Sequence, residues 1–467
     1  MAPKSSARRG SLSRRAAEPS DAEAAALVEV ELPSKPAAPA RAVSFQLALI
    51  YGNVALYALA YMLQQPAQPF LVKSLPGGDA MQFGLFKTYM QALQLLGTLF
   101  TGVLIDALGP KKLIVVSFAV SAASYAMTAH ATTLPLLYAS QIPTILQHAV
   151  LGARAAVTLA SDESARARML GLVSVAYGVG MVIGPAAGGI LSNDGNYALV
   201  SYVASLLSVV SAVLIYFFLD DASSSSSSTS SSASASASAP AAQAKAPVAL
   251  RDYLEVFSNA AVSRLLAVKL LFGLSSALFH SVFSLVAAER FGLDAKGTGY
   301  VISYVGFLGA VTNGLLIEPS RRYASSERAL LLATGGALAA SFAAFSVTTS
   351  ATELYVLCVP LVIASGIFQT VSSAQLTTLV PRELAGSANA VDMGIGSGVR
   401  MVSPLVSAGL LGSSFGFPSV GAASSGLAIL CVLLLLLSPA AAAAAPTVVG
   451  KAAKAAAKAA ARAAKLA

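Results

Sequence analysis

Twelve transmembrane helices in two six-helix lobes, an all-α membrane protein, is the architecture this chain should adopt. Composition points there first: 56% of 467 residues are hydrophobic, 11% are charged and the mean hydropathy is +0.72. An average soluble domain has about 25% charged residues. Twelve apolar stretches also approach the ~20 residues, rising about 1.5 Å each, that cross a hydrocarbon core. Finally, the basic residues segregate across that map. Only Lys73, Arg290 and Lys296 fall in loops on one side; Lys87, Arg154, Lys269 and Arg400 fall inside spans, and the other 23 of 30 Lys and Arg share the opposite side. Basic residues are retained in the cytoplasm during insertion, so both termini are expected there.

Residues 1–43 carry seven basic and five acidic residues and no apolar run of the signal-peptide type. The acids Asp21, Glu23, Glu29 and Glu31 also argue against an organelle transit peptide. This tail reads as disordered, with Arg8-Arg9-Gly10-Ser11 as an alternative basophilic kinase site. The first lobe, 44–219, holds spans at 44–65, 81–105, 113–131, 134–158, 169–192 and 196–219. In the linker, 220–261, positions 222–246 are almost all Ser and Ala and cannot bury a core, while Arg251 to Asn259 reads as a short amphipathic helix. The second lobe, 262–438, holds spans at 262–289, 297–318, 328–348, 352–378, 385–411 and 419–438. In the tail 439–467, Lys451, Lys454, Lys458, Arg462 and Lys465 lie three or four apart, along one helical face. It reads either as a solvated helix or as one lying on anionic lipid, where each basic residue contributes on the order of 1 kcal/mol.

Ionisable residues within spans are costly and by default functional. Of 21 acids, Asp392 alone is placed well inside a span. Lys269 and Arg154 fall at similar depth, about 6 to 11 Å from the cytoplasmic ends of their spans, so the three form a candidate coupling layer. Arg400 lies about 12 Å farther along and roughly 80° around the helix from Asp392. That geometry disfavours a direct pair and leaves Arg400 a substrate anion or a backbone carbonyl. Lys87 and Arg154 lie close enough to span ends to snorkel along their aliphatic stems.

Three runs carry a more specific signal. Thr101-Gly-Val-Leu-Ile-Asp106-Ala-Leu-Gly109-Pro-Lys111-Lys112 joins two spans, and 212 residues later Gly314-Leu-Leu-Ile-Glu318 echoes it, followed by Arg321 and Arg322. The echo makes the two lobes structural repeats. In the fifth span, Gly178-Val-Gly180-Met-Val-Ile-Gly184-Pro185-Ala-Ala-Gly188-Gly189 spaces small residues four apart, a groove for close helix approach, with Pro185 able to bend it.

Together with Phe83-Gly84 through Leu95-Leu96-Gly97, Arg264-Leu-Leu-Ala-Val-Lys269, and Gly299-Tyr300 through Gly306-Phe307 to Gly314, these runs resemble the major facilitator superfamily. Within it, the chain most resembles the organic cation transporter-like branch, of the solute carrier 22 member 18 type, itself similar to tetracycline-type drug/proton antiporters. The likeness covers about residues 43–438 apart from the linker. It implies the major facilitator fold and movement of a small organic solute by alternating access, as an exporter or proton antiporter. It further implies that Gly102, Asp106, Gly109, Lys111 and Lys112, with Glu318, Arg321 and Arg322 in the second lobe, form a gate. There Asp106 would face the start of the eleventh span near Leu384 to Ser387. Lys111 and Lys112 equally satisfy the positive-inside rule. In the resemblance the Gly180, Gly184, Pro185, Gly188 and Gly189 run goes with export and antiport; plain helix packing accounts for it equally. Drug antiporters of this kind carry an Arg early in the fourth span, where Gln141 stands here, a departure that counts against the usual proton coupling. Gln141 and His148 join Asp392, Arg400, Lys269 and Arg154 as substrate or coupling candidates.

The expected partners are a small-molecule substrate, protons and the lipid bilayer, with the chain a monomer. Cys358 and Cys431 both fall within spans, so no disulfide framework is implied. His130, His148 and His280 lack ligand spacing, and nothing resembles a phosphate loop or catalytic triad. No metal, cofactor or enzymatic activity is therefore expected. The pI of about 9.5 follows from topology and implies no nucleic acid. Two alternatives stand beside coupled transport: an uncoupled carrier of an organic anion or zwitterion, and a membrane receptor or scaffold that has kept the fold.

Overall fold

The computed structural model describes residues 40–192, 195–220, 256–380 and 384–437. The Ser/Ala-rich linker, most of the Arg251 to Asn259 segment and both tails lie outside the described residues. By its contacts the chain forms a short unit ending at Phe45 and a body from Gln46 onward, which contains the site described below.

Among the described residues, eleven helices are long and apolar enough to cross a membrane. The first to third spans are Ala40–Leu63, Ala80–Leu108 and Pro110–Ala129, with a short helix, Gln68–Ser74, after the first. The fifth to seventh are Glu163–Leu191, Tyr197–Phe218 and Ala260–Phe291. The eighth runs through Ala295–Val311, a π turn at Thr312–Leu316, and Ile317–Tyr323. The ninth to twelfth are Glu327–Val347, Ala351–Leu379, Ala385–Leu411 and Phe417–Leu437. Side-chain caps fix several starts: Asp79 accepts from the Gln82 amide at 2.7 Å, Asp294 from Gly297 at 2.7 Å, and Ser350 forms a capping box with Glu353.

The fourth crossing departs from the expected single span over 134–158. It is broken into a helix Leu134–Ser140, a 3-10 turn Ile142–Leu146 and a helix Ala149–Ala160. Pro143 supplies the cause, since it lacks an amide proton and its ring crowds the carbonyl four residues earlier. Third-span hydroxyls satisfy the freed carbonyls: Ser124 Oγ donates to Ser140 O at 2.7 Å and Ser117 Oγ to Leu146 O at 2.9 Å. From the first span, Tyr57 OH donates to Gln147 O at 3.2 Å. Irregular backbone at membrane depth is tolerated only with such partners.

A second departure concerns the 101–112 run. It is helical through Leu108, turns at Gly109 alone (φ +78°) and restarts with Pro110 in the first helical turn, so the joint is one residue rather than a loop.

One apolar core draws entirely on residues 268–435, where Phe272 stacks on Phe368 at 4.3 Å and Phe279 meets Phe345 at 4.7 Å. Others draw on residues 47–219. The two halves meet where the second span packs on the eleventh and the fifth on the eighth. At the first seam, Gly84 leaves no room for a Cβ between Ala408 and the Pro404 carbonyl. At the second, a Cβ on Gly189 would lie 2.6 Å from Ala295 O, Gly299 abuts the Pro185 carbonyl, and the Ala186 amide donates to Ser303 Oγ at 2.8 Å. These contacts lie toward the charge-poor end, the end with few Lys and Arg, which carries residues 75–79, 195–196, 292–294 and 412–416. Lys73, in the short helix after the first span, pairs there with Glu289 of the seventh.

Candidate solute site

Between the halves lies a cavity whose chambers all include Arg400. The largest, about 510 Å³, runs from Arg400 to Lys269 and Asp392, past Phe272, Met393 and Gln369. A second, about 220 Å³, is walled by Tyr57, Tyr61, Tyr177, Gln91, Gln94 and His148. A third, also about 220 Å³, lies toward the charge-poor end and includes Tyr61, Gln65, Lys87, His280 and Ser403. Helical spacing explains the lining: Lys87, Gln91, Gln94 and Thr98 recur every three or four residues on the second span, as do Lys269, Gly273, Ser276 and His280 on the seventh.

Lys269 Nζ lies 3.0 Å from Asp392 Oδ2 and donates to Ser373 Oγ at 2.7 Å. The side chains are 4% and 21% exposed, so this is a buried pair whose Asp392 edge faces the cavity. Removing one member of such a pair strands a charge, at about 3 to 5 kcal/mol. Arg400 behaves differently. It is exposed to the cavity, and its guanidinium donates to Ser397 Oγ of its own helix at 3.1 Å. Lys87 turns into the cavity rather than snorkelling outward; its Nζ donates to the side-chain Oε1 atoms of Gln65, at 2.9 Å, and Gln68, and sits 5.5 Å from the Phe83 ring centroid.

Two of the expected coupling candidates stand elsewhere. Arg154 is exposed and lines none of the three chambers, so Lys269 is the cation that meets Asp392. Gln141 is buried in the seam of the third and fourth spans, donating to Ser140 Oγ at 2.9 Å and Thr128 Oγ1 at 3.2 Å. His148 does reach the cavity wall, because the fourth-span break places it there, and its buried Nε2 has no hydrogen-bond partner among the described residues.

The sequence matches a known family along most of the chain. Residues 50–404 fit the model of the Major Facilitator Superfamily. The chain belongs to that superfamily. It is a multi-pass integral membrane transporter of organic solutes, not an enzyme. Human solute carrier family 67 member A1 is 27% identical over 399 residues, covering 82% of this chain and 90% of that protein. The class C tetracycline resistance protein of Escherichia coli is 25% identical over 295 residues, covering 61% of this chain and 69% of that one. Among solved structures, a bacterial homolog of the human lysosomal transporter Spinster, in an inward-facing and unoccupied conformation, aligns with a TM-score of 0.64. Its identity is 14%, over 86% of this chain and 96% of that one.

The run from Gly102 to Lys112 sits at the basic end. Asp106 is exposed, and its carboxylate makes no ion pair among the described residues; a Cβ on Gly102 would meet nothing within 4 Å. In the second half, Glu318 pairs with Arg322 at 3.1 Å and Arg321 with Glu327 at 2.6 Å, both local contacts. The fifth-span glycines serve two seams. Gly180, Gly184 and Gly188 press on Ala58, Met62 and Leu63 of the first span, whereas Gly189 presses on the eighth.

Sequence reasoning missed the aromatic and amide wall, Tyr57, Tyr61, Tyr177, Gln91 and Gln94. The signal was present as polar residues at helical spacing on otherwise apolar spans.

Proposed function

We propose that the protein is a secondary active transporter in which Asp392 and Lys269 couple solute movement to protons by alternating access, with export or antiport as its direction. The observation carrying this reading is the buried Lys269–Asp392 pair on the wall of the large chamber. Protonating Asp392 frees Lys269, and a charge change at one wall of an interlobe cavity is the kind of local event that biases two global states. The basic end is cytoplasmic on the positive-inside rule, which makes the state with its charge-poor end closed an inward-facing one. Gating then falls to Gly102, Asp106, Gly109, Lys111 and Lys112, with Glu318, Arg321 and Arg322 stiffening the matching corner of the other half. In the fifth-span run, Pro185 and Gly189 place close backbone contacts at the seam where the halves rock, while Gly180, Gly184 and Gly188 pack on the first span.

Uncoupled carriage has one observation in its favour: Gln141, standing where drug antiporters carry an Arg, is tied into the third and fourth spans and away from the chambers. A single experiment separates the readings. In proteoliposomes, with a labelled solute found by screening, Asp392→Asn should abolish movement driven by a pH gradient and spare exchange down the solute's own gradient. Wild-type pH-driven rates in the variant would remove Asp392 from coupling; equal loss of both activities would make the pair structural.

A further inference from the structure

The charges around the cavity do not balance. Its chambers are lined by three cations, Lys87, Lys269 and Arg400, and by one acid, Asp392. Asp392 is spoken for by Lys269 at 3.0 Å. Arg400 meets a neutral hydroxyl and Lys87 meets two neutral amide oxygens. Among the described residues neither has a carboxylate partner, and both stand within spans, where an ionisable residue is costly and by default functional. A guanidinium presents a planar fork of donors that suits a carboxylate or sulfonate in two-point contact. Arg400 lies where all three chambers join, so a group bound there has apolar surface beside it: Phe272, Ala277, Met393 and Val399 in the chamber of about 510 Å³. That volume falls within the range of drug-sized sites, roughly 300 to 1,000 Å³.

We infer that the solute is an amphipathic organic anion, its acidic group held by Arg400 and its apolar body in the Phe272–Met393 chamber. Lys87 supplies a second anion position in the chamber toward the charge-poor end, which selects dianions over monoanions. A cationic solute meets two uncompensated positive charges and is disfavoured. The inference rests on the transport reading of the same cavity and adds the sign of the substrate to it.

Binding to the purified full chain tests it directly. Cys358 and Cys431 are buried and free, so a thiol-reactive dye that labels them only on unfolding reports thermal stability, and ligands that bind the folded state raise it. The probes are benzoate, phthalate and benzylammonium at matched ionic strength. Stabilisation should follow the order phthalate, then benzoate, with none from benzylammonium. Arg400→Gln should weaken benzoate at least tenfold, and Arg400→Lys should recover part of that loss. Lys87→Gln should bring phthalate down to the level of benzoate. Stabilisation by benzylammonium equal to that by benzoate, no stabilisation by either anion, or wild-type benzoate binding in Arg400→Gln would each overturn the anion assignment. Unchanged phthalate preference in Lys87→Gln would overturn the second position. Anion binding that needs Arg400, combined with transport indifferent to a pH gradient, would sink the coupling reading and leave this one standing. Movement of a cation driven by a pH gradient would do the reverse.

Discussion

The two ends of the molecule are packed differently. At the charge-poor end the halves touch through backbone: Gly84 against Pro404 and Ala408, Gly189 against Ala295, Gly299 against Pro185. At the basic end, glycines of the same spans, Gly102, Gly171 and Gly394, would meet nothing within 4 Å with a Cβ added. Asp106, the most recognisable residue of the gate run, stands exposed there. Shape, rather than charge, therefore does most of the closing in this state. Backbone contacts of this kind cannot yield gradually, because packed seams are either made or lost.

That contrast is broken most forcefully at Gly299. An Ala there drives its Cβ into the Pro185 carbonyl, and neither backbone is free to move without opening the seam. Overpacking costs about 1 to 3 kcal/mol, and here the cost falls only on the state closed at the charge-poor end. The population open at that end should rise roughly 5- to 150-fold. Labelling of Ser281→Cys, in the chamber toward that end, by an impermeant thiol reagent should accelerate accordingly. An unchanged labelling rate would show that the seam is not what holds the end shut.

How much of this could be read beforehand differs between the spans and the site. Hydropathy and the Lys and Arg distribution determine the twelve crossings, because length and charge retention are properties of each segment alone. The fourth-span break is not of that kind. Pro143 permits either a kink or a break, and the choice is made by Ser117 and Ser124 of the third span, which take up the freed carbonyls. Depth along the helix placed Lys269, Arg154 and Asp392 in one layer. Only the rotation of each helix, set by packing, turns Lys269 toward Asp392 and Arg154 away. The latch expected between Asp106 and the eleventh span is not made among the described residues, where Asp106 stands exposed, and no sequence pattern says which state a structure will adopt.

Asp106→Asn sharpens the comparison from the basic end, with a smaller effect. The carboxylate has no partner among the described residues, so the substitution should cost nothing in this state. Its contribution comes in the opposite state, from a helix amino terminus, and is about 0.3 to 1 kcal/mol. Losing it should raise the population open at the basic end by roughly two- to fivefold, read as faster labelling of Ser365→Cys in the large chamber. If the rate matches that of the parent, Asp106 does not latch the gate.

The smallest expected effect belongs to Lys73 and Glu289, the one ion pair described here that joins the halves at the charge-poor end. Each side chain is more than a third exposed, at 36% and 37%. Solvent and salt therefore screen the pair, and such contacts are worth about 0.2 to 1 kcal/mol. Lys73→Glu places two acids together and should favour opening by less than about fivefold, a shift that fades as salt is raised. Adding Glu289→Lys reverses the pair and should restore the parental labelling rate at Ser281→Cys. Both the fading and the restoration are required if the contact acts through charge. A Lys73→Glu effect as large as that of Gly299→Ala would mean that charge, not backbone shape, closes this end; a double reversal that fails to restore closure would reduce the pair to a surface contact with no part in gating.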